Sequence, residues 1–210
     1  MKSVEDRRVR RTRSALSAAL VELVLEKGFH AVTVEQITER ADVGRATFYA
    51  HYRDKEDLLL GVVRELALDR LPVAPGETAD QDGPSGLPLL RLFQHAERQR
   101  AAFQVILRGE GDGRALRAFA DLLGGAAEAV LRQRSGAAGG EPRVPPDLAA
   151  RAWTGEVIGV LAWWIEGGSA YSAVEVARYL GECSAFGRRW AGGGAQVVPE
   201  QSSPRVPGGT

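Results

Sequence analysis

The chain has 210 residues, 44% of them hydrophobic and 26% charged, with 27 basic side chains balanced by 27 acidic ones. That composition excludes a largely disordered chain, and the length allows one large domain or two small ones with a real core. The longest uncharged apolar run is Val157 to Ile165, Met1 leads into arginines and not an apolar segment, and Cys183 is alone; a cytoplasmic protein is expected, with no membrane span, disulfide, metal or cofactor.

The neutral total conceals a basic N-terminus. Residues 1–13 hold Lys2, Arg7, Arg8, Arg10, Arg11 and Arg13 against Glu5 and Asp6. Such an arm can neutralise phosphates and release their counterions, or it can be a solvated tail. Arginine outnumbers lysine 24 to 3 along the whole chain, so the preference for arginine itself marks no site.

Periodicity is helical throughout. Leu16, Leu20, Leu23 and Val24 recur at helical spacing and predict a first helix over about residues 10–27, closed by Gly28. Thr33-Val34-Glu35-Gln36 fits a capping box and opens a second helix that runs to Ala41. Asp42-Val43-Gly44 is a turn, with Asp42 expected in the left-handed region, and Arg45 to Tyr52 make a third, short helix. Asp54 is the expected N-cap of a fourth helix bearing the stripe Leu58, Leu59, Val62, Val63 and Leu66. Residues 72–88 are rich in Pro and Gly and read as a linker. Helices are then expected over Leu89–Arg98, Ala102–Leu107, Arg114–Arg134, Asp147–Glu166 and Ser172–Trp190, with a loop over Ser135–Pro146 and a disordered tail over 191–210. The fold class is all-α, with about nine helices. The expected division is residues 1–54, 55–190 and the tail 191–210.

Two short helices joined by a three-residue turn, with a third helix as platform, make a helix-turn-helix. Val43 and Phe48 alternate as anchors, which leaves Arg45, Thr47, Tyr49 and His51 for an exposed face. Those side chains offer charge and hydroxyls to phosphates, hydrogen bonds to base edges, and ring carbons to a thymine methyl. A plain three-helix packing unit with core aromatics is the alternative from residue chemistry alone.

The run from Thr33 to Leu59, TVEQITERADVGRATFYAHYRDKEDLL, closely resembles the N-terminal signature of TetR-family transcriptional regulators. The resemblance is strong over about residues 10–66 and weak beyond, through helix order and the stretch Trp163-Trp164-Ile165-Glu166-Gly167 followed by Tyr171-Ser172. It implies a homodimeric repressor that binds a palindromic double-stranded DNA operator and is released by a small, largely apolar effector. Thr33 then resembles a phosphate contact, Arg45, Thr47 and Tyr49 the groove-facing residues, and His51 and Lys55 backbone contacts. Tyr52 is expected in the core with its hydroxyl near the phosphates, and Arg10, Arg11 and Arg13 belong to the basic arm. Three residues depart from the family pattern: Asp42 where Gly is usual, Thr38 where Ala is usual, and Gly44 where Ser is usual.

The resemblance also implies that residues 55–190 bind ligand and dimerise, with the last two helices forming the contact between subunits. Trp153, Val157, Leu161 and Trp164 make one stripe, while Gly155 and Gly159 lie on a neighbouring face that admits another helix closely, from the partner or from the same chain. Candidate ligand contacts by helical face are Phe93, Phe103, Ile106, Phe119, Leu123, Trp153, Val157 and Trp164, each with plain core as its alternative, and Glu156 as a polar group that orients a ligand, stays solvated or pairs with an arginine. His30, His51 and His95 stand in no catalytic spacing, and Gly109 to Gly113 matches no phosphate loop, so an enzyme is not expected. A DNA-binding regulator without small-molecule control, or an activator, is the remaining alternative.

Overall fold

The structure, a computed structural model, describes residues 4–70, 86–137 and 142–191. Among the described residues there are nine α-helices, one 3-10 turn and no strand. The helices are α1 (Val4–Lys27), α2 (Val34–Arg40), α3 (Arg45–His51), α4 (Lys55–Arg70), α5 (Leu87–Arg98), α6 (Arg100–Leu107), α7 (Arg114–Ala137), α8 (Pro146–Glu166) and α9 (Ala173–Ala191). The 3-10 turn, Phe29–Ala31, lies between α1 and α2.

Local chemistry accounts for most boundaries. The α1 helix starts at Val4 instead of about residue 10, because the arginine-rich segment contains no breaker and arginine propagates a helix well. It stops at Gly28, whose φ of 79° suits glycine and whose N–H donates to the Val24 carbonyl at 2.8 Å. At the start of α2 both halves of the capping box form: Gln36 N–H donates to Thr33 Oγ1 at 3.3 Å, and Thr33 N–H donates to Gln36 Oε1 at 3.1 Å. Thr33→Ala is expected to cost about 1 kcal/mol, read as a lower urea midpoint; an unmoved midpoint would show that the cap adds nothing here. Asp42 takes the left-handed conformation with φ 50°, and Gly44 caps α3 without a side-chain bond. Asp54 caps α4, accepting from the Asp57 N–H at 2.7 Å.

Later helices run longer than the sequence suggested. The α5 helix begins at Leu87, with proline in its first turn where the missing N–H is harmless. The α7 helix continues to Ala137 and α8 opens at Pro146, so the expected loop Ser135–Pro146 is shorter at both ends. Residues 72–85 of the expected linker, 138–141 of that loop and 192–210 of the expected tail lie outside the described residues.

Apolar stripes meet in one continuous core that extends from Leu16 on α1 to Leu180 on α9. The α1 helix packs on α2, α4 and α6, α7 lies along α8, and α5 lies along α9. The short pair α2 and α3 is therefore carried on α1, which also touches the second half of the chain.

Candidate nucleic-acid interface

Helices of seven residues have little stability of their own, so α2 and α3 depend on what they bury. Ile37 and Phe48 are both fully buried, with α2 packed on α1 and α3 packed on α2. From the outside, Arg40 grips α1: its guanidinium donates to Glu26 at 2.8 and 3.0 Å and to Glu22 at 3.2 Å. Those carboxylates, Glu26 first, raise the Arg40 pKa, and the Arg40 hydrogen bond holds Glu26 below its usual range.

With Phe48 facing inward, α3 presents Arg45, Thr47 and Tyr49 to solvent; Tyr49 is 53% exposed and its ring stands edge-on to Phe48. Arg45, at the first position of the helix, has no partner among the described residues. It closes one end of an open groove of about 400 Å3 whose other walls include Glu35, Thr38, Glu39 and Asp42. The groove between the two helices therefore carries three carboxylates beside Arg45, whereas α3 itself has no acidic side chain. Thr33 is exposed, and because its oxygen accepts in the capping box, its hydroxyl proton remains available to an incoming acceptor. His51 is half-buried, with its ring beside Tyr52.

Three expected contacts have other occupations. Lys55 is half-buried, and its ammonium donates to the carbonyls of Phe29 (2.9 Å), His30 (3.3 Å) and Val32 (2.8 Å) while lying over the Phe29 ring. An ammonium has three donors, so Lys55 is a clamp on the 3-10 turn and not a free phosphate contact. Tyr52 is 2% exposed, and its hydroxyl accepts from Arg13 Nε at 3.2 Å. Arg13 is thus tied to the end of α3 through one donor and keeps its terminal nitrogens, while Arg10 and Arg11 are exposed one turn earlier on a helix and not on an extended arm.

Sequence reasoning missed two features. Gly61 lies beneath Tyr52: a Cβ there would come within 2.8 Å of the ring at Cε1, so glycine sets how deeply Tyr52 seats. Arg53, just past α3, has 85% of its side chain exposed and sits 3.7 Å from Asp57. Burial pushes the Asp57 carboxyl up, but the Arg53 N–H and the guanidinium groups of Arg64 and Arg53 outweigh it and hold Asp57 below its usual range.

The profile for bacterial regulatory proteins of the tetR family matches residues 16–62, the stretch that carries this arrangement. Over these residues the chain is similar to the TetR family. TetR-family members are DNA-binding transcription factors and not enzymes. The chain is 42% identical over 71 residues to YdeS, an uncharacterized HTH-type transcriptional regulator of Bacillus subtilis; that match covers 34% of this chain and 36% of YdeS. It is 37% identical over 75 residues to TcmR, an HTH-type transcriptional regulator of Streptomyces glaucescens, a match to 33% of that protein. The chain thus spans about a third of the length of these curated relatives. The fold similarity extends much further: a TetR-family structure from Syntrophomonas wolfei, 17% identical, superposes with a TM-score of 0.72 over 90% of this chain and 98% of the other.

In the second half of the chain, the residues expected to contact ligand do come together, as packed core. Phe93, Phe103, Ile106, Phe119, Leu123, Trp153, Val157 and Trp164 are all buried. Their rings stand edge-on to one another, Phe93 on Trp164 at 5.5 Å and Phe103 on Phe119 at 5.6 Å. Glu156 is not among them: its carboxylate accepts from the Ser184 hydroxyl and so joins α8 to α9. Gly155 and Gly159 have open space where a Cβ would stand, so no helix among the described residues packs closely on them. Leu148 and Trp163 on α8 and Tyr179 on α9 are exposed large apolar side chains. No helix among the described residues is long and apolar enough to cross a membrane.

Proposed function

We propose that the chain is a transcriptional repressor that binds a palindromic DNA operator as a homodimer, with residues 1–54 as the DNA-binding domain and 55–190 as the ligand-binding and dimerisation domain. The observation that carries this reading is the division of α3, with Phe48 fully buried and Arg45, Thr47 and Tyr49 turned outward. Arg45, Thr47 and Tyr49 meet base edges and thymine methyls, while Thr33, His51, Arg10 and Arg11 meet phosphates. The exposed apolar face of α8 and α9 supports dimerisation through the last two helices, since such side chains gain most by being covered.

The test is selection of bound duplexes from a random pool by the purified full-length chain. A two-fold symmetric consensus with half-sites about 34–36 Å apart is expected. Sequence-independent retention alone would overturn the reading. Deleting residues 1–9 is expected to lower affinity and flatten the slope of log affinity against log salt by about one unit for each phosphate no longer neutralised. An unchanged slope would make the segment a solvated helix end.

The effector reading is supported by the aromatic, apolar interior of the second domain. A protein of the same fold, FadR of Bacillus subtilis, was crystallised with stearoyl-CoA. The edge-on ring packing favours a second reading, DNA binding without small-molecule control, because a ligand among these rings must displace their contacts. A library of lipophilic compounds separates the two: the effector reading expects a melting shift together with weaker operator binding, and the second reading expects neither.

A further inference from the structure

The loop between α6 and α7, residues 108–113, has the sequence RGEGDG. Four of its residues have positive φ: Gly109 (73°), Gly111 (68°), Asp112 (58°) and Gly113 (70°). Positive φ is ordinary for glycine but strained for aspartate, and it persists where surrounding contacts hold it. The Arg117 guanidinium on α7 donates to the Asp112 carbonyl at 2.8 Å, and further contacts reach the 3-10 turn and α4. Glu110 Oε2 accepts from the Phe29 N–H at 3.0 Å. Gly111 is buried so close to α4 and the 3-10 turn that a Cβ would stand 2.9 Å from Leu59 Cδ2 and 3.4 Å from Phe29 Cε1. The Asp112 carboxylate is 3.9 Å from His30 Nε2, an exposed pair that adds little.

The 3-10 turn is therefore held at both ends. Its first N–H has no partner inside the turn, and Glu110 supplies one; Lys55 collects the carbonyls of Phe29, His30 and Val32. Thr33, two residues past the turn, is the cap of α2. We propose that Glu110 is a positioning residue for DNA binding: through the Phe29 N–H it sets where the 3-10 turn, Thr33 and the α2–α3 pair stand relative to the second domain. The proposal rests on the DNA-binding reading above. Glu110 holds the segment between α1 and α2 directly, beside the approach of Gly111 to Leu59 on α4. A shift of α6 carries the loop, the loop carries the turn, and α2 and α3 follow.

A carboxylate that only stabilised the fold would change melting and nothing else, so the test needs a readout across domains. Amide hydrogen exchange is followed in the full chain with and without the selected duplex, alongside duplex affinity and melting, for the wild type, Glu110→Ala and Glu110→Gln. In the wild type the duplex is expected to slow exchange in α6 and the 108–113 loop as well as in α2 and α3. In Glu110→Ala the response of α6 and the loop disappears and affinity falls about tenfold, the equilibrium equivalent of one charge-assisted hydrogen bond. Glu110→Gln keeps an acceptor oxygen and is expected to retain the response with an affinity about twofold lower, which separates positioning from misfolding. A Glu110→Ala chain that binds duplex and still passes the response to α6 overturns the proposal alone. A wild-type chain that binds no duplex overturns the DNA-binding reading, and this proposal with it.

Discussion

Phe48→Ala is expected to destabilise the chain by about 3–5 kcal/mol, the cost of emptying a fully buried aromatic site. Phe48 has no exposed surface, and its ring packs against those of Tyr49 at 5.3 Å and Tyr52 at 6.0 Å. The helices on either side of the turn are seven residues each, so they cannot persist without that anchor. Because a domain of this kind has only about 5–15 kcal/mol of net stability, the substitution removes a large share of it. Urea unfolding followed by far-ultraviolet circular dichroism measures the loss, and duplex binding at the same temperature should fall with the folded fraction. Phe48→Leu fills most of the volume and is expected to cost under about half as much. A loss for Phe48→Ala below about 1 kcal/mol would mean that α3 is held by something other than this ring.

The sequence made legible what is decided within a turn or two of chain. The Thr33–Gln36 capping box, the left-handed Asp42, the Asp54 cap and the burial of Phe48 all follow from side-chain chemistry at short range, and each appears where that chemistry requires. What stayed hidden is decided by residues far apart. Lys55 reads as a surface cation three residues past the recognition helix, yet its partners are carbonyls more than twenty residues earlier. Glu156, lone in an apolar helix, reads as a group inside a pocket, but a serine 28 residues later on α9 takes its carboxylate. Gly61 and Glu110 carry no periodic signal at all; only the approach of Tyr52 and Phe29 gives them a role. The helical start of α1 was hidden for a different reason: the apolar stripe begins at Leu16, and a polar helix end has no stripe to count.

Arg45→Ala and Tyr49→Ala are expected to leave stability within about 0.5 kcal/mol, because both side chains are exposed and neither fills the core. Each is expected to weaken binding to the selected duplex by about 1–3 kcal/mol, the range for a base-edge contact. The conservative variants divide the contributions. Arg45→Lys keeps the charge but removes the paired donors of the guanidinium, so a weakening close to that of alanine would mean that Arg45 reads a base edge. Recovery by lysine, with the salt slope preserved, would make it a phosphate contact. Tyr49→Phe keeps the ring on Phe48 and removes only the hydroxyl, so its affinity separates apolar contact with a thymine methyl from a hydrogen bond. Binding is measured at one fixed salt concentration alongside melting curves, because a common fall in both would signal misfolding. If both alanine variants bind as tightly as the wild type, α3 is not the reading helix. The exposed cations of α1 and Arg53 would then carry the affinity without sequence preference.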